Sequence, residues 1–480
     1  MRDSQAVQMK LALPKGRFLS STAKFLANID LGFQDYNDKT KQYRLRSARF
    51  PGLSAKILQE KDISIQVAVG NYDLGICGLD WIEEFLVKYP AGALVKVSGL
   101  NYGEGGIDVV ASADTDITNL SEISAGRNDY RIVSEYPNLA EAFALDLRMR
   151  RFRIFPVWGA AEAYPPENAD LAVLWRKNAT DLATQGLVAL KRLLSVTAYL
   201  IANRESLENK DLSQLLTRFT SKLATEPQAA SESELSTPEE PRASLQSWQV
   251  KEVNLALPDG HQQVPTAQFV KRTGLSIKGY SQQDLAPRPV ADLDWLGIKA
   301  IRPQDMPLQV ANRNFDLAIT GEDWLQEHLS RFPSSPVQEL FPLGFGTVKI
   351  VAAVSREMPV TSIDELKAHV QRYAGSIRSP LKVASEYVNI ADKYLRDNHI
   401  SPYKLIPTWG ASEAFLPEDA DMLIDNVQTG KTIEQHDLKI IDVLFRSSAC
   451  LIANSNAIGA TSQRQEKLNF LIEKLRAGLS

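Results

Sequence analysis

The sequence predicts an α/β protein built as two tandem copies of one unit. Three observations carry that reading. Short apolar runs alternate with amphipathic stretches, five motifs recur in one order, and a stretch rich in Pro, Ser and Glu separates the two series.

In the first copy, Lys10–Leu13, Asp73–Ile76, Ile107–Val110, Arg131–Val133 and Leu171–Leu174 are short, apolar and bounded by turn residues, as buried strands are. Ser21–Ala27 and Leu139–Asp146 have helical spacing. Alternation of this kind predicts mostly parallel sheets. A copy of this length exceeds the usual size of a single core, so each is expected to split into two lobes. The glycines between Gly99 and Gly106, and in Leu343–Gly346, suit a hinge where the chain crosses between lobes.

The repeat is read directly from the residues. Leu11-Ala-Leu-Pro-Lys-Gly-Arg17 returns as Leu255-Ala-Leu-Pro-Asp-Gly-His261. Asp73-Leu-Gly-Ile-Cys-Gly-Leu-Asp-Trp81 returns as Asp316-Leu-Ala-Ile-Thr-Gly-Glu-Asp-Trp324. Ser134-Glu-Tyr-Pro-Asn138 matches Ser385-Glu-Tyr-Val-Asn389, Trp158-Gly-Ala-Ala-Glu-Ala163 matches Trp409-Gly-Ala-Ser-Glu-Ala414, and Leu200-Ile-Ala-Asn203 matches Leu451-Ile-Ala-Asn454. Leu11 and Leu255 lie 244 positions apart, Asp73 and Asp316 lie 243 apart, and the later pairs lie 251 apart. An insertion in the second copy between Trp324 and Ser385 accounts for the change. The expected domains are residues 1–225, a flexible linker at 226–247, and residues 248–480. The linker has too few apolar side chains to offset the entropy of ordering.

Composition narrows the function classes. The formal net charge is −4, from 54 basic and 58 acidic residues, which gives no general attraction to nucleic acid or an anionic membrane. Cys77 and Cys450 are too few for a disulfide framework or a cysteine metal cluster. The polar start Met1–Gln8 lacks the apolar core of a signal peptide, and no apolar run reaches the span of a bilayer. The expectation is a cytoplasmic protein.

Taken together, the repeated motifs resemble the short form of ATP phosphoribosyltransferase, which opens histidine biosynthesis. Family units begin with a strand like Leu11–Arg17 and carry a turn like Asp73–Asp80 and another near Trp409–Glu413. They also carry a loop like Ile424-Asp-Asn-Val-Gln-Thr-Gly-Lys-Thr-Ile-Glu-Gln-His-Asp-Leu438, and Phe445–Leu451 is similar to their closing strand. The resemblance implies two tandem copies of a two-lobed, periplasmic-binding-protein-like (type II) phosphoribosyltransferase unit. The implied reaction moves the phosphoribosyl group of 5-phosphoribosyl 1-pyrophosphate to N1 of the adenine of ATP, with magnesium, releasing pyrophosphate. Ser455–Ser480 leaves room for one helix, so the regulatory domain of long-form members is expected to be absent. A regulatory subunit resembling histidyl-tRNA synthetase and a homo-oligomer are the candidate assemblies; the magnesium ligands stay unassigned.

Such a reaction needs a cradle for the 5′-phosphate, an acceptor for ribose hydroxyls and cations for the departing pyrophosphate. The segment Gln428-Thr-Gly-Lys-Thr432 follows a strand and opens a helix, where free backbone N–H groups and the helix dipole favour phosphate. Gly430 permits close backbone approach, and Thr429 and Thr432 add hydroxyl donors. Without the family match, an ordinary polar turn with a threonine cap accounts for the segment equally well. With it, Gln428, Thr429, Gly430, Lys431 and Thr432 bind phosphate, and Asp425 accepts the ribose hydroxyls. Glu413 and Asp323 are candidate substrate contacts, although both recur as Glu162 and Asp80 in the other copy, which suits a structural role as well. Trp158 and Trp409 suit the core, and His436 lies on a polar helix face.

The copies have decayed in different places. At the 251-residue offset, Asp425, Thr429, Gly430 and Thr432 correspond to Leu174, Asn178, Ala179 and Asp181. Conversely, Lys15 and Arg17 become Asp259 and His261, while Arg302, in a family-like Arg-Pro-Gln-Asp-Met-Pro stretch, faces Gln59 in the alignment. The expectation is a composite site in which Lys15, Arg17 and Arg302 act as catalytic cations with the phosphate loop of the second copy. The alternative is a non-catalytic, nucleotide-binding regulatory pseudoenzyme of the same fold.

Overall fold

In the computed structural model, each repeat opens on a parallel strand pair whose residues were legible as buried. Strand β1 (Met9–Pro14) pairs in parallel with β3 (Leu53–Leu58), across β2 (Arg44–Arg46) in the chain, and with β4 (Leu74–Gly78). The structure describes residues 9–37, 43–117, 119–120, 123, 129–178, 180–223, 251–373, 380–455 and 463–479. The expected linker at 226–247 lies outside them, as does the alignment partner Ala179. The molecule divides into two compact units, Met1–Phe155 with Asp170–Trp248, and Pro156–Ala169 with Gln249–Ser480. A short piece of the first repeat, Pro156–Ala169, therefore belongs by packing to the second unit.

The first unit continues with β5 (Leu94–Gly99), β6 (Gly105–Ser112), β7 (Tyr130–Ser134), β8 (Phe152–Pro156), β9 (Leu171–Arg176), β10 (Leu187–Val196) and β11 (Ala198–Asn203). Two sheets result, ordered β2-β3-β1-β4-β11-β5 and β10-β6-β9-β7-β8. The chain leaves the first sheet between Gly99 and Gly105, the expected hinge, and returns at Thr197 between β10 and β11. Each sheet has its own core, one built on Leu11, Leu13, Ile76 and Leu200, the other on Ile107, Val109, Ile132 and Val173.

The second unit repeats the plan: β12 (Val253–Pro258), β13 (Ile277–Tyr280), β14 (Leu285–Ala291), β15 (Leu296–Ile301), β16 (Leu317–Gly321), β17 (Val337–Pro342), β18 (Val348–Ser355), β19 (Leu381–Ser385), β20 (Tyr403–Pro407), β21 (Met422–Val427), β22 (Leu438–Ser447) and β23 (Ala449–Asn454). Its sheets run β15-β12-β16-β23-β17 and β20-β19-β21-β18-β22, with β13 and β14 as a separate hairpin. Two lobes per repeat agree with the sequence expectation. Mostly parallel sheets do not. The returning strands β11 and β23 run antiparallel to both neighbours, as does β18 between β21 and β22. A chain that crosses to a second lobe and comes back must enter the first sheet from the opposite end, so the sheets are mixed.

Two repeated motifs have a plain packing cause. In each repeat the Gly before the Gly-x-Asp-Trp helix (Gly78, Gly321) sits where an added Cβ would meet the carboxylate of Asp80 or Asp323. Asn203 and Asn454 each donate through the side-chain amide to two carbonyls at a helix end, those of Val67 and Ala68, and of Val310 and Ala311. No helix among the described residues is long and apolar enough to cross a membrane.

Candidate functional site

The carboxylate of Asp425 is the centre of a polar cluster in the second unit. Asp425 lies on β21 opposite Val351 of β18, near the end of the strand, half-buried. Its Oδ2 accepts from the Ser412 hydroxyl at 2.5 Å and its Oδ1 from the Asn426 backbone amide at 2.6 Å. Thr408 in turn donates to Ser412 at 3.1 Å. Burial pushes the Asp425 carboxyl up to about 7; the two hydrogen bonds hold it back, and the nearby charges of Glu413 and Asp323 push it further. A carboxyl tuned so close to neutrality is what a functional site uses.

The loop that follows is open. Gly430 has φ 78° and ψ −8°, in the left-handed region, and is the residue before the helix Lys431–Gln435. Nothing lies within 4 Å of the place where its Cβ would be, so the backbone angle, not crowding, calls for glycine. No side chain caps the first-turn amides, and Gln428, Thr429, Lys431 and Thr432 are exposed. Such amides are unpaired within any helix and suit an anion.

Glu413 sits in the short turn Ser412–Phe415, entered through Ala411 at φ 55°. Its Oε1 lies 3.9 Å from Nε2 of His436, which follows the open loop. Asp323 is fully engaged at the start of helix Glu322–Arg331. Its Oδ1 accepts from Ser447 at 2.7 Å, its Oδ2 from the Tyr387 hydroxyl at 2.5 Å, and its amide donates back to Ser447 at 2.9 Å. Tyr387 also accepts from the Asn426 side chain at 3.0 Å, which ties Asp323 to the strand residue next to Asp425. The structure thus brings Asp323, Glu413, Asp425 and the open loop together. Arg302 lies 3.3 Å from Asp259, the residue that replaces Lys15, and its guanidinium packs against Gly159.

Lys15 and Arg17 belong to the first unit. Lys15 donates to the Tyr43 hydroxyl at 2.9 Å. Arg17 is clamped by Glu60 and Asp80, at 2.9 and 2.6 Å, and lies over the rings of Phe18 and Trp175, each at 4.6 Å. Burial alone would lower its pKa, but the two carboxylates hold it above its ordinary value; burial pushes Glu60 up to about 7 despite Arg17.

Where the second unit has Asp425, the first unit supplies its own plug. Leu174 on β9 faces Asp108 on β6, and Asp108 is fully buried between Arg176 and Arg192. The Arg192 guanidinium lies where a Cβ on Gly106 would stand, and Trp175, aligned with Asn426, packs against Gly105. The carboxylate has moved one strand across and is neutralised by the protein itself.

Sequence reasoning passed over Ser412, Tyr387 and Asn426. The signal for Ser412 was present: the copy that lost Asp425 has Ala161 there, so serine and aspartate disappear together. Tyr387 recurs as Tyr136, which hid it among structural residues. Among the described residues no three His, Cys, Asp or Glu side chains gather into a metal-holding group. The Asp425–Glu413 pair offers too few oxygens for a protein cage.

A family model described as ATP phosphoribosyltransferase matches the chain twice, over residues 59–224 and 302–477, more than half of its length. The ATP phosphoribosyltransferase of Saccharolobus solfataricus is 33% identical over 236 residues, covering 48% of this chain and 73% of that protein. That of Sulfurisphaera tokodaii is 32% identical over 232 residues, covering 47% and 73%. Among solved structures, the ATP phosphoribosyl transferase (HisG:HisZ) complex from Thermotoga maritima is 18% identical with a TM-score of 0.38, covering 47% of this chain and 98% of that one. The periplasmic aliphatic sulphonate binding protein SsuA from Escherichia coli is 14% identical with a TM-score of 0.31, covering 45% and 68%.

Proposed function

The chain belongs to the ATP phosphoribosyltransferase family, and from that premise we propose that it transfers the phosphoribosyl group of 5-phosphoribosyl 1-pyrophosphate to N1 of ATP adenine. The observation that carries the reading is the second unit's pairing of a tuned carboxylate, Asp425, with an open, uncapped helix start at Gly430.

In this proposal the amides beside Gly430, with Thr429 and Thr432, hold the 5′-phosphate, and Asp425 accepts the ribose hydroxyls. Fixing both ends of the sugar leaves C1 facing the purine. The C1–O bond breaks with its electron pair leaving on pyrophosphate, and the lone pair of adenine N1 closes the new bond to C1. Positive charge that builds on the ribose is stabilised by the carboxylates of Asp425 and Glu413. Magnesium, which the family implies, would supply charge neutralisation for the departing pyrophosphate when bound. We place the reaction in the cytoplasm, with a regulatory subunit as a candidate partner.

The test is pyrophosphate release from ATP and 5-phosphoribosyl 1-pyrophosphate with magnesium, with calorimetry alongside. Gly430→Val should lower affinity for 5-phosphoribosyl 1-pyrophosphate, since a β-branched residue at φ 78° costs about 1–2 kcal/mol and closes the backbone to the phosphate. Undiminished heat of binding in that variant removes the phosphate cradle. Lys15 and Arg17 stay in the proposal as cations for pyrophosphate. A single-turnover rate and affinity unchanged in Lys15→Ala take Lys15 out.

One observation favours a second reading, a nucleotide-binding regulator without turnover. The second unit has Asp259 where the first has Lys15, and that aspartate occupies Arg302. Binding without pyrophosphate release decides for the regulator.

A further inference from the structure

Trp158 comes from the repeat that has no Asp425, yet its segment is built into the unit that has one. Within the second unit the Trp158 amide donates to both carboxylate oxygens of Asp305, at 3.1 and 3.0 Å. Lys299, itself buried, donates to the Tyr164 carbonyl, Glu167 and Asn168 at 3.2, 2.8 and 2.6 Å. Asn168 donates to the Asn314 carbonyl at 2.9 Å. Charged hydrogen bonds of this number fix the segment in one place.

So fixed, the half-buried indole of Trp158 stands between two others, with ring centroids 5.7 Å from Trp324 and 6.4 Å from Trp409. Each neighbour leads to Asp425. Trp324 stacks on Tyr387 at 4.4 Å and 27°, Tyr387 accepts from the Asn426 side chain, and the backbone amide of Asn426 donates to Asp425. Trp409 follows Thr408, which donates to Ser412, the hydroxyl partner of Asp425.

We propose that Trp158 is a positioning residue for Asp425, so that the first repeat keeps a share in the second unit's site through its tryptophan. The inference rests on the phosphoribosyl reading of Asp425. It explains why Trp-Gly-Ala is kept at 158–160 in a repeat whose own phosphate loop is gone. Removing the indole leaves Trp324 and Trp409 free to shift, and with them the two hydrogen bonds that orient the carboxylate. Coupling through such a packed chain is worth about 2- to 30-fold in affinity.

The experiment uses the full chain with Trp158→Ala and Trp158→Phe. For each, calorimetry follows 5-phosphoribosyl 1-pyrophosphate binding across pH 5.5–8.5, and kinetics gives KM for each substrate. The expected result in Trp158→Ala is roughly 2- to 30-fold weaker binding of 5-phosphoribosyl 1-pyrophosphate, with KM for ATP little changed and a displaced pH inflection. Trp158→Phe should restore the inflection. The loss should largely vanish in an Asp425→Asn background. If Trp158→Ala folds poorly, Trp158→Leu serves, because the inflection and the double-mutant cycle do not depend on stability. An unchanged inflection with KM raised for ATP overturns the proposal in favour of direct purine contact. Equal losses in the presence and absence of Asp425 overturn it in favour of a purely structural role. A wild-type chain that binds but releases no pyrophosphate defeats the enzyme reading while the calorimetric arms still judge Trp158.

Discussion

In the proposed reaction Asp425 is a charged acceptor, although it is half-buried. Its folded pKa is about 7, above the roughly 3.9 of an unfolded aspartate. Between those values the native state binds the extra proton, so this group's contribution to stability is present below about pH 4 and is lost as pH rises through 7. Binding has the opposite sign in the proposed reaction, where the ionised form is the one that would accept the ribose hydroxyls. The kcat/KM for 5-phosphoribosyl 1-pyrophosphate should therefore rise with pH through about 7. Asp425→Asn should flatten that rise and lower kcat/KM about 10- to 100-fold, the worth of a hydrogen bond to a charged group. The same variant should unfold at higher urea than wild type above pH 7. A wild-type profile flat between pH 6 and 8 contradicts the tuned carboxylate. The first unit shows the other solution to the same cost: Asp108, fully buried, is paired with two arginines, Arg176 and Arg192.

At the scale of elements, one repeated pair of helix starts is completed by tertiary partners and not by local caps. Helix Val388–Asp397 has no side-chain cap of its own. The Glu327 carboxylate, from helix Glu322–Arg331, accepts from the amides of Asn389 and Ile390, each at 2.9 Å. Glu84 does the same for Asn138 and Leu139 in the first unit, at 2.9 Å each. Glu327→Ala strands both amides and should cost about 1–2 kcal/mol, read as a lower urea midpoint. An unchanged midpoint would mean water replaces the carboxylate. Strands and helices were legible because apolar periodicity is local, and the repeats made them legible twice. The direction of β11 and β23 was not, because a strand's sense depends on where the chain has been.

At the scale of the molecule, repeat boundaries and packing boundaries differ. Pro156–Ala169 lies in the first repeat by sequence and in the second unit by contact. Residues 248–480 expressed alone would leave Lys299 and Asp305 without their partners from that segment. Breaking such a buried set costs about 3–5 kcal/mol, so the fragment should be unstable and bind 5-phosphoribosyl 1-pyrophosphate weakly. Co-expression with residues 1–225 should restore both. A fragment as stable and as tight-binding as the whole chain would show the segment to be dispensable.

The duplication, the two-lobed α/β plan, the family and the position of the open loop at Gly430 were determined by the sequence alone. All four are patterns of residue type at short spacing, repeated in register. Only the tertiary structure decided that Ser412, Asn426 and Tyr387 frame Asp425, that Arg17 is bound by its own unit's carboxylates, and that Trp158 packs within the second unit. The reason is physical. A buried charge takes its character from whatever surrounds it in space, and most of those neighbours lie tens of positions or more away along the chain.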